Sequence, residues 1–321
     1  MARFRDAKEF GPTLDAAAEQ LGISATAVEK DYWVSQTLRA LTDAFAGDFI
    51  FKGGTSLSKG YRIVERFSED IDILVLRGER GRTATDKLMK TMGNAAAAGI
   101  GGEASKFGGS ETGRHRSYEL AYPAIRKATP MIRTSVLLEM GVRGGPHPHE
   151  RVPINSLLGD ALATRGTDLS EFADLEPFEV LVLHPGRTLL EKLVHIHELA
   201  QELARGPARK PDGRSGRHFY DVFQLLGDDR VRDLLADREL VGHVLNNIRE
   251  ITRQHFDTSG DIELRPPSGF ATTRAFDVTT DVSQRLRASY DATMPELYFG
   301  SAALPAWDEI CDRIADHSEL L

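Results

Sequence analysis

The 321-residue sequence has a single cysteine, and this scarcity limits the kinds of site that it can form. Cys311 has no partner for an internal disulfide bond, and a zinc site built on several cysteines is excluded. The sequence contains no run of about 18 apolar residues, the length that spans a bilayer. The N-terminal sequence MARFRDAKEF lacks the apolar stretch of a signal peptide. These absences predict a cytoplasmic protein without a membrane partner.

The sequence has fewer positive than negative charges: its 40 Lys and Arg residues and 48 Asp and Glu residues give a net charge of −8. Such a surplus argues against a protein that coats nucleic acid with its whole surface, and we expect no DNA partner. A local basic groove stays compatible with this balance. Hydrophobic residues make up 41% of the chain, which is typical of a globular protein with one large domain or two ordinary ones.

The hydrophobic pattern predicts a mixed α/β fold of the α+β class. Two short helices are expected within residues 12–45, and further helices at 55–66, 84–98, 187–204, 217–227, 229–236, 239–253 and 281–294. Strands are expected at 48–52, 71–76, 118–122, 131–142 and 179–184. The mixed sheet and its N-terminal helices would occupy residues 1–185. A helical C-terminal domain would occupy residues 186–321.

Two aspartates mark the start of the strongest predicted strand. Asp70 and Asp72 are two residues apart, so they project from the same face of the strand, while Ile71 and Ile73 face the core. Neighbouring carboxylates repel each other, and a divalent cation such as Mg²⁺ or Mn²⁺ relieves that repulsion. A strand with two solvated aspartates is the simpler interpretation of this motif when it stands alone.

A pair of glycines strengthens the functional interpretation. Gly53 and Gly54 lie between a predicted strand and a predicted helix, where backbone amides can approach a phosphate closely. Together with Asp70 and Asp72 they predict a site for a metal-bound nucleoside triphosphate. Glu139 is the best candidate for a third metal ligand, because it is the only acid in a predicted apolar strand. Taken alone, it fits a water-exposed glutamate at the end of a strand equally well.

The surrounding sequence resembles the nucleotidyltransferase superfamily, and closely its AbiEii/AbiGii toxin branch, which includes the mycobacterial MenT toxins. The resemblance is carried by residues 29–34 (EKDYWV), 51–55 (FKGGT) with 67–72 (FSEDID), 191–193 (EKL) and 217–222 (RHFYDV). These stretches follow the order of the family and span most of the chain. The resemblance implies a nucleotidyltransferase-like core.

The resemblance also implies further site residues. Lys192 would contact the triphosphate, and Asp221 would orient Lys192 or assist the acceptor hydroxyl. His218 stands where family members often have aspartate, so an anionic ligand is lacking there. Nucleotide contacts are implied for Gly53, Gly54, Thr55, Ser68 and Lys192, and metal contacts for Asp70, Asp72 and Glu139.

The resemblance implies transfer of a nucleoside monophosphate from an NTP to the 3′ end of tRNA, which blocks aminoacylation and translation. It implies a cognate antitoxin encoded nearby. In some MenT systems a kinase-like antitoxin phosphorylates a residue at the position of Ser68. A phosphate there would add nearly two negative charges where the triphosphate binds.

Several cations outside these motifs are candidates for contacts with phosphate. Five of them lie within residues 205–217, accompanied by one acid: Arg205, Arg209, Lys210, Arg214 and Arg217. Such a loop is either solvated or suited to an RNA backbone. Lys52, Lys59 and Arg66 are nearer to the Gly-Gly and Asp-x-Asp motifs, but each is predicted as a solvated surface group.

Two other functions fit the same residues. One is nucleotidyl transfer to a small molecule or to a protein side chain. The other is a catalytically silent regulator that binds an NTP.

Overall fold

The computed structural model describes residues 2–68, 70–108, 111–129, 132–206, 211, 215–255 and 263–321. Internal contacts divide the chain into two compact units. The first unit comprises residues 1–61 and 68–183, and the second comprises residues 62–67 and 184–321. Over the described residues, no helix combines the length and the apolar character needed to cross a membrane.

The first unit combines α-helices with a seven-stranded sheet, which confirms the predicted mixed α/β fold. Its helices are α1 (Phe10–Leu21), α2 (Ala25–Phe45), α3 (Gly53–Lys59), α4 (Arg82–Gly99) and α5 (Leu157–Thr164). Its strands are β1 (Phe49–Lys52), β2 (Asp70–Val75), β3 (Ala104–Lys106), β4 (His115–Ala121), β5 (Ser135–Gly141), β6 (His149–Ile154) and β7 (Phe178–Leu183).

The sheet has the strand order β3-β4-β5-β2-β1-β7-β6 and mixes parallel with antiparallel pairs. Strand β2 lies between β1, which is antiparallel to it, and β5, which is parallel. The register places Asp72 beside Lys52 of β1 and beside Glu139 of β5. Because paired residues point to the same side of a sheet, these three polar side chains share one face.

The opposite face of the sheet carries the core of this unit. Ile71 and Ile73 of β2 and Leu138 and Met140 of β5 are at most 1% exposed. Helix α2 packs against β5, and α4 packs against β4. Full burial of each such side chain contributes about 1.5–3 kcal/mol. This burial fixes the register, because a shift by one residue would turn the acidic side chains into the core.

The described part of the second unit is mainly helical, and it includes the short non-helical segment at residues 62–67. Its helices are α6 (Pro185–Ala204), α7 (Gly216–Leu226), α8 (Asp229–Ala236), α9 (Arg238–His255), α10 (Asp281–Leu297) and α11 (Trp307–Asp316). Helix α7 is central, since α6, α8, α10 and α11 all pack against it. Its Phe219 ring lies 4.7 Å from the ring of Trp307 in α11.

The helix predicted over residues 55–66 is shorter than expected, since α3 ends at Lys59. Residues 62–67 belong to the second unit instead. The backbone amide of Phe67 donates to the carbonyl of Leu297 at 2.8 Å. The backbone of this segment therefore pairs with a distant part of the chain, and it does not continue the helix.

Candidate active site

The turn between β1 and α3 depends on Gly53. Its φ of +79° lies in the left-handed region, which glycine adopts without strain. A Cβ atom at this position would lie 2.2 Å from Oδ2 of Asp72, far inside contact distance. The backbone at Gly53 therefore passes directly against the Asp72 carboxylate, and Gly54 follows in the first turn of α3.

Three acidic side chains lie on the polar face of the sheet. Asp70 and Asp72 share that face of β2, and Glu139 of β5 is the direct neighbour of Asp72. Adjacent strands are about 4.8 Å apart, so the three acids form one group on the sheet surface. All three are partly exposed, whereas the residues between them are buried. The structure thus places these three acids on one face of neighbouring strands, and their role as metal ligands stays a prediction.

A divalent cation fits the chemistry of this group. Over the described residues, no three acidic, histidine or cysteine side chains converge closely enough to hold a metal ion. Carboxylate oxygens are nevertheless the ligands that Mg²⁺ and Mn²⁺ prefer. Gly53 also leaves space beside Oδ2 of Asp72 that any side chain at that position would fill. The type of oxygen ligand therefore agrees with the predicted metal, and the metal site itself stays a prediction.

Thr55 connects α3 to the start of β2. Its side chain is 1% exposed, and its hydroxyl donates to the backbone carbonyl of Asp70. The same hydroxyl lies 2.8 Å from Oγ of Ser68. Thr55 therefore positions the strand that carries the two aspartates. The nucleotide contacts of Thr55 and Ser68 stay predictions.

Lys59 was predicted as a solvated surface group, and this prediction is wrong. Its ammonium lies 2.6 Å from Oδ1 of Asp31, and its side chain is only 6% exposed. Oδ2 of Asp31 accepts a hydrogen bond from the amide of Leu157 at 2.7 Å. One carboxylate of α2 therefore holds both the last residue of α3 and the first residue of α5.

Two more charged residues of α2 hold the segment that precedes β5. Glu29 is 1% exposed and accepts from the backbone amides of Ile125 and Arg126 at 2.7 and 2.9 Å. Lys30 is also 1% exposed and donates to the carbonyl of Ser135. A buried charge requires partners of this kind. These anchoring roles were not predicted from the sequence, although the run Glu-Lys-Asp within one predicted helix is a signal for them.

The second unit contains a buried ion-pair cluster centred on Asp221 of α7. Nε and Nη2 of Arg66 donate to its two carboxylate oxygens at 2.6 and 2.7 Å. Nζ of Lys192 lies 2.7 Å from Oδ2 of the same carboxylate. Arg66 is only 2% exposed, so its prediction as a solvated surface group is wrong. We call these three residues the Asp221 cluster.

The Asp221 cluster carries a net charge of 2 − 1 = +1 when all three groups are ionised. Burial by itself would raise the pKa of Asp221, but Arg66 and Lys192 hold it well below its usual range. Burial lowers the pKa of Lys192, and Asp221 opposes that change. The Lys192 side chain is 11% exposed.

His218 lies beside this cluster. Its Nδ1 is 3.5 Å from Nζ of Lys192, and its ring centroid is 4.8 Å from that of His195. Burial, together with the positive charge of Lys192, lowers the pKa of His218 well below its usual value. The imidazole is therefore neutral near pH 7 and supplies no anionic ligand at this position.

Most of the predicted basic loop lies outside the described residues. This applies to Arg209, Lys210 and Arg214, so their contacts with RNA stay predictions. Arg217 is partly exposed in the first turn of α7. Arg205 is exposed just after the end of α6.

Comparison with known proteins identifies a family for this chain. Residues 36–313 match the model of a family described as "Nucleotidyl transferase AbiEii toxin, Type IV TA system". One similar solved structure is "MenT4, nucleotidyltransferase toxin Rv2826c from Mycobacterium tuberculosis H37Rv", with a TM-score of 0.39 and 16% sequence identity. That similarity covers 76% of this chain and 90% of the other. Among curated proteins, none matches the sequence.

Proposed function

Because the chain belongs to the AbiEii nucleotidyltransferase toxin family of type IV toxin–antitoxin systems, we propose that it transfers a nucleoside monophosphate from an NTP to the 3′ end of tRNA. The observation that carries this proposal is the polar sheet face on which Asp70, Asp72 and Glu139 lie together, with the Gly53 backbone against Asp72. The added nucleotide would block aminoacylation and thereby translation.

In the proposed reaction, the 3′ hydroxyl oxygen of the RNA attacks the α-phosphorus of the NTP. A new P–O bond forms, the bond from the α-phosphorus to the oxygen that bridges it to the β-phosphorus breaks, pyrophosphate leaves, and the hydroxyl proton passes to solvent. Asp70, Asp72 and Glu139 would hold the divalent cation, Mg²⁺ or Mn²⁺. When bound, such an ion neutralises the triphosphate and stabilises the charge that develops during transfer.

The remaining contacts with the triphosphate are assigned to backbone amides and to one lysine. The amides of Gly53 and Gly54 suit phosphate oxygens, because no side chain keeps the phosphate away from the backbone. Lys192 supplies a point charge for the same anion. The ion pair with Asp221 at 2.7 Å, which holds the Lys192 ammonium in a defined position, supports this role.

Asp221 acts through Lys192 in this proposal. Both of its oxygens accept hydrogen bonds from cations, and its lowered pKa makes it a poor proton acceptor. Of the two roles considered from sequence, orientation of Lys192 is therefore the one that the geometry supports.

Family membership implies a cognate antitoxin, and we propose that it is encoded nearby and that both act in the cytoplasm. Ser68 is partly exposed and precedes Asp70 by two residues. A phosphate on Ser68 would place nearly two negative charges beside the acids and oppose triphosphate binding. Mass spectrometry of the co-expressed pair tests this mode of control, and an unmodified Ser68 in inhibited toxin would exclude it.

Incubation with labelled NTPs and total tRNA tests the proposed function. We expect the unsubstituted protein to label tRNA and Asp72→Asn to abolish the label. Asp43→Asn is a matched control, because Asp43 is an exposed aspartate of α2 in the same unit. Label that survives Asp72→Asn would contradict the site. Label on a small molecule or a protein would support the alternative acceptors, and NTP binding without any transfer would support a silent regulator.

A further inference from the structure

The polar face of the sheet extends beyond the three acids toward the edge strand β3. Strand register places Asp70 beside Leu137 of β5, and Leu137 beside Glu119 of β4. Glu119 in turn pairs with Ser105 of β3. Since paired residues share a face, Glu119 and Ser105 lie on the same side of the sheet as Asp70. The backbone of Glu119 is two strand spacings, about 10 Å, from that of Asp70.

This part of the face forms the floor of a cavity of about 440 Å³, which lies wholly within the first unit. Its lining includes Ser105, Glu119, Thr134 and Ser135 on its polar side and Ala121 on its apolar side. We call it the edge pocket. A volume of this size is within the range of small-molecule sites and suits one nucleoside.

The edge pocket presents one carboxylate that is fixed in place. Oε1 of Glu119 accepts a hydrogen bond from Oγ of Ser135 at 2.7 Å. Ser135 is itself held from behind, because its carbonyl accepts from the buried ammonium of Lys30. Over the described residues, Oε2 of Glu119 has no hydrogen-bond donor. It therefore offers an acceptor toward the cavity.

Arg133 lies at the rim of the edge pocket. Arg133 lines the cavity and its side chain is exposed. In the part of the chain that the structure describes, no carboxylate lies within ion-pair distance of its guanidinium. A free guanidinium beside a small polar cavity suits a phosphate group. The pocket thus offers an acceptor for a base edge and a cation for a backbone phosphate.

We infer that the edge pocket receives the terminal nucleoside of the acceptor RNA, with Glu119 accepting from an exocyclic amino group and Arg133 contacting the adjoining phosphate. This inference rests on the proposed transfer to RNA. Single-stranded ends expose their base edges to such readout. A carboxylate accepts a hydrogen bond from the N4 amino group of cytosine, but it repels the O4 oxygen of uracil because both groups are acceptors. The chain should therefore prefer a 3′-terminal cytidine over a 3′-terminal uridine.

Kinetics of nucleotide transfer to two tRNA transcripts that differ only in the 3′-terminal base test the role of Glu119. We expect the unsubstituted protein to favour the cytidine end by about tenfold in kcat/KM. Glu119→Gln should abolish this preference, because an amide can donate to uracil O4 as well as accept. Glu150→Gln, at an exposed position of β6, is the matched control and should keep it.

A second variant tests the phosphate contact independently of the base. Arg133→Ala should raise the KM for RNA, leave the KM for NTP unchanged, and reduce the slope of log KM against log salt by about 0.7. Lys106→Ala is the control, because it removes a charge from the same edge of the sheet while its side chain is on the opposite face from Ser105. It should change neither the KM for RNA nor the salt slope.

The outcomes separate this inference from the proposed function. Absence of transfer to either RNA by the unsubstituted protein would overturn the proposed function. Transfer without a preference for cytidine, or with a preference that Glu119→Gln retains, would overturn the assignment of Glu119 while the proposed function stands. An unchanged salt slope in Arg133→Ala would overturn the phosphate contact.

Discussion

At the scale of single residues, the buried carboxylate of Asp221 forms ion pairs with two cations of the second unit, Arg66 and Lys192. The residue is fully buried, and both oxygens accept from cations. When one partner of a buried ion pair is removed, the charge that remains has lost both water and its partner. Asp221 should therefore matter for stability as well as for the position of Lys192.

We expect Asp221→Asn to lower the free energy of unfolding by about 3–5 kcal/mol, because Arg66 and Lys192 lose their shared counter-charge. Asp228→Asn is the matched control, since Asp228 pairs with Arg230 at 2.7 Å near the surface, where the Arg230 side chain is 46% exposed. Its loss should stay below about 1 kcal/mol. Urea denaturation of both variants measures the difference, and equal losses would contradict the expectation.

The pH dependence of the same variant gives a second measurement. The native pKa of Asp221 is lowered, whereas an unfolded aspartate titrates near pH 3.9. Its contribution to stability is therefore complete above about pH 4 and is lost as the pH falls through the native pKa. Thermal melts between pH 6 and pH 3 should show a smaller loss of stability for Asp221→Asn than for the unsubstituted protein.

A comparison of Gly53→Ala with Gly101→Ala should distinguish the effect of backbone strain from the effect of displacing the Asp72 carboxylate. Gly53 and Gly101 both have a positive φ, at +79° and +72°, so alanine costs about 1–2 kcal/mol at either position. At Gly101, however, an added Cβ meets nothing within 4 Å. We expect similar shifts in melting temperature, but a loss of transfer of about 100-fold only in Gly53→Ala, where the Asp72 carboxylate must move. Equal activities would contradict the role of this contact.

The residue scale also shows what a sequence can and cannot predict. The shared face of Asp70 and Asp72 follows from the two-residue period of a strand, so it needed no knowledge of the fold. Arg66 and Asp221 are separated by 155 positions, and no local pattern indicates that they pair. A cation in a polar stretch is normally solvated, which is why Arg66 and Lys59 were assigned to the surface.

At the scale of elements, α2 acts as the support of the first unit. Its Glu29 holds the segment before β5, and its Lys30 holds the start of β5. Its Asp31 holds the end of α3 and the start of α5. Three consecutive charged residues therefore orient the elements that carry Gly53 and Glu139. A helix buried along much of its length provides a firmer support than a loop.

A double-mutant cycle on Asp31 and Lys59 measures one of these connections. We expect a coupling energy of about 1–2 kcal/mol, because the Lys59 and Asp31 side chains are only 6% and 15% exposed. Asp48 and Arg80 form a matched pair at 2.7 Å in the same unit, with side chains 28% and 41% exposed. Alanine substitutions there should couple by less than about 1 kcal/mol. Similar coupling in both pairs, measured in urea, would contradict the role of Asp31.

Two of the strands that were not predicted from the sequence have a weak local pattern. Strand β3 has only three residues and follows a glycine-rich turn, so it shows no alternation to detect. Strand β6 contains Pro153, which argues against a central strand. It is tolerated because β6 lies at the edge of the sheet. The central strands β2, β5 and β7 have strong apolar alternation and were predicted within a few residues.

At the scale of the whole molecule, the net charge of −8 limits how RNA can be bound. Non-specific attraction to phosphate needs a surface rich in cations. In this chain the acids that serve the proposed metal site contribute to the surplus, while five cations are concentrated within residues 205–217. Binding to RNA should therefore depend on a few local contacts.

Removal of three of these cations tests that expectation. The test variant combines the changes Arg209→Ala, Lys210→Ala and Arg214→Ala, and the control combines Lys87→Ala, Lys90→Ala and Lys106→Ala. Three lost contacts with single-stranded phosphates should reduce the slope of log KM against log salt by about 3 × 0.7, or roughly 2. The control alters net charge equally and should leave the slope unchanged. An unchanged slope in the test variant would favour a small acceptor.

The assignment of residues 62–67 to the second unit also bears on how the protein is made. During synthesis, Arg66 leaves the ribosome 155 residues before Asp221. At about 5–20 residues per second, that interval lasts roughly 8–30 s. Throughout it, the strand with the two aspartates has been made, but the Asp221 cluster cannot form. A nascent toxin is therefore incomplete until late in its own translation, and a truncated product that ends before α7 never acquires this cluster.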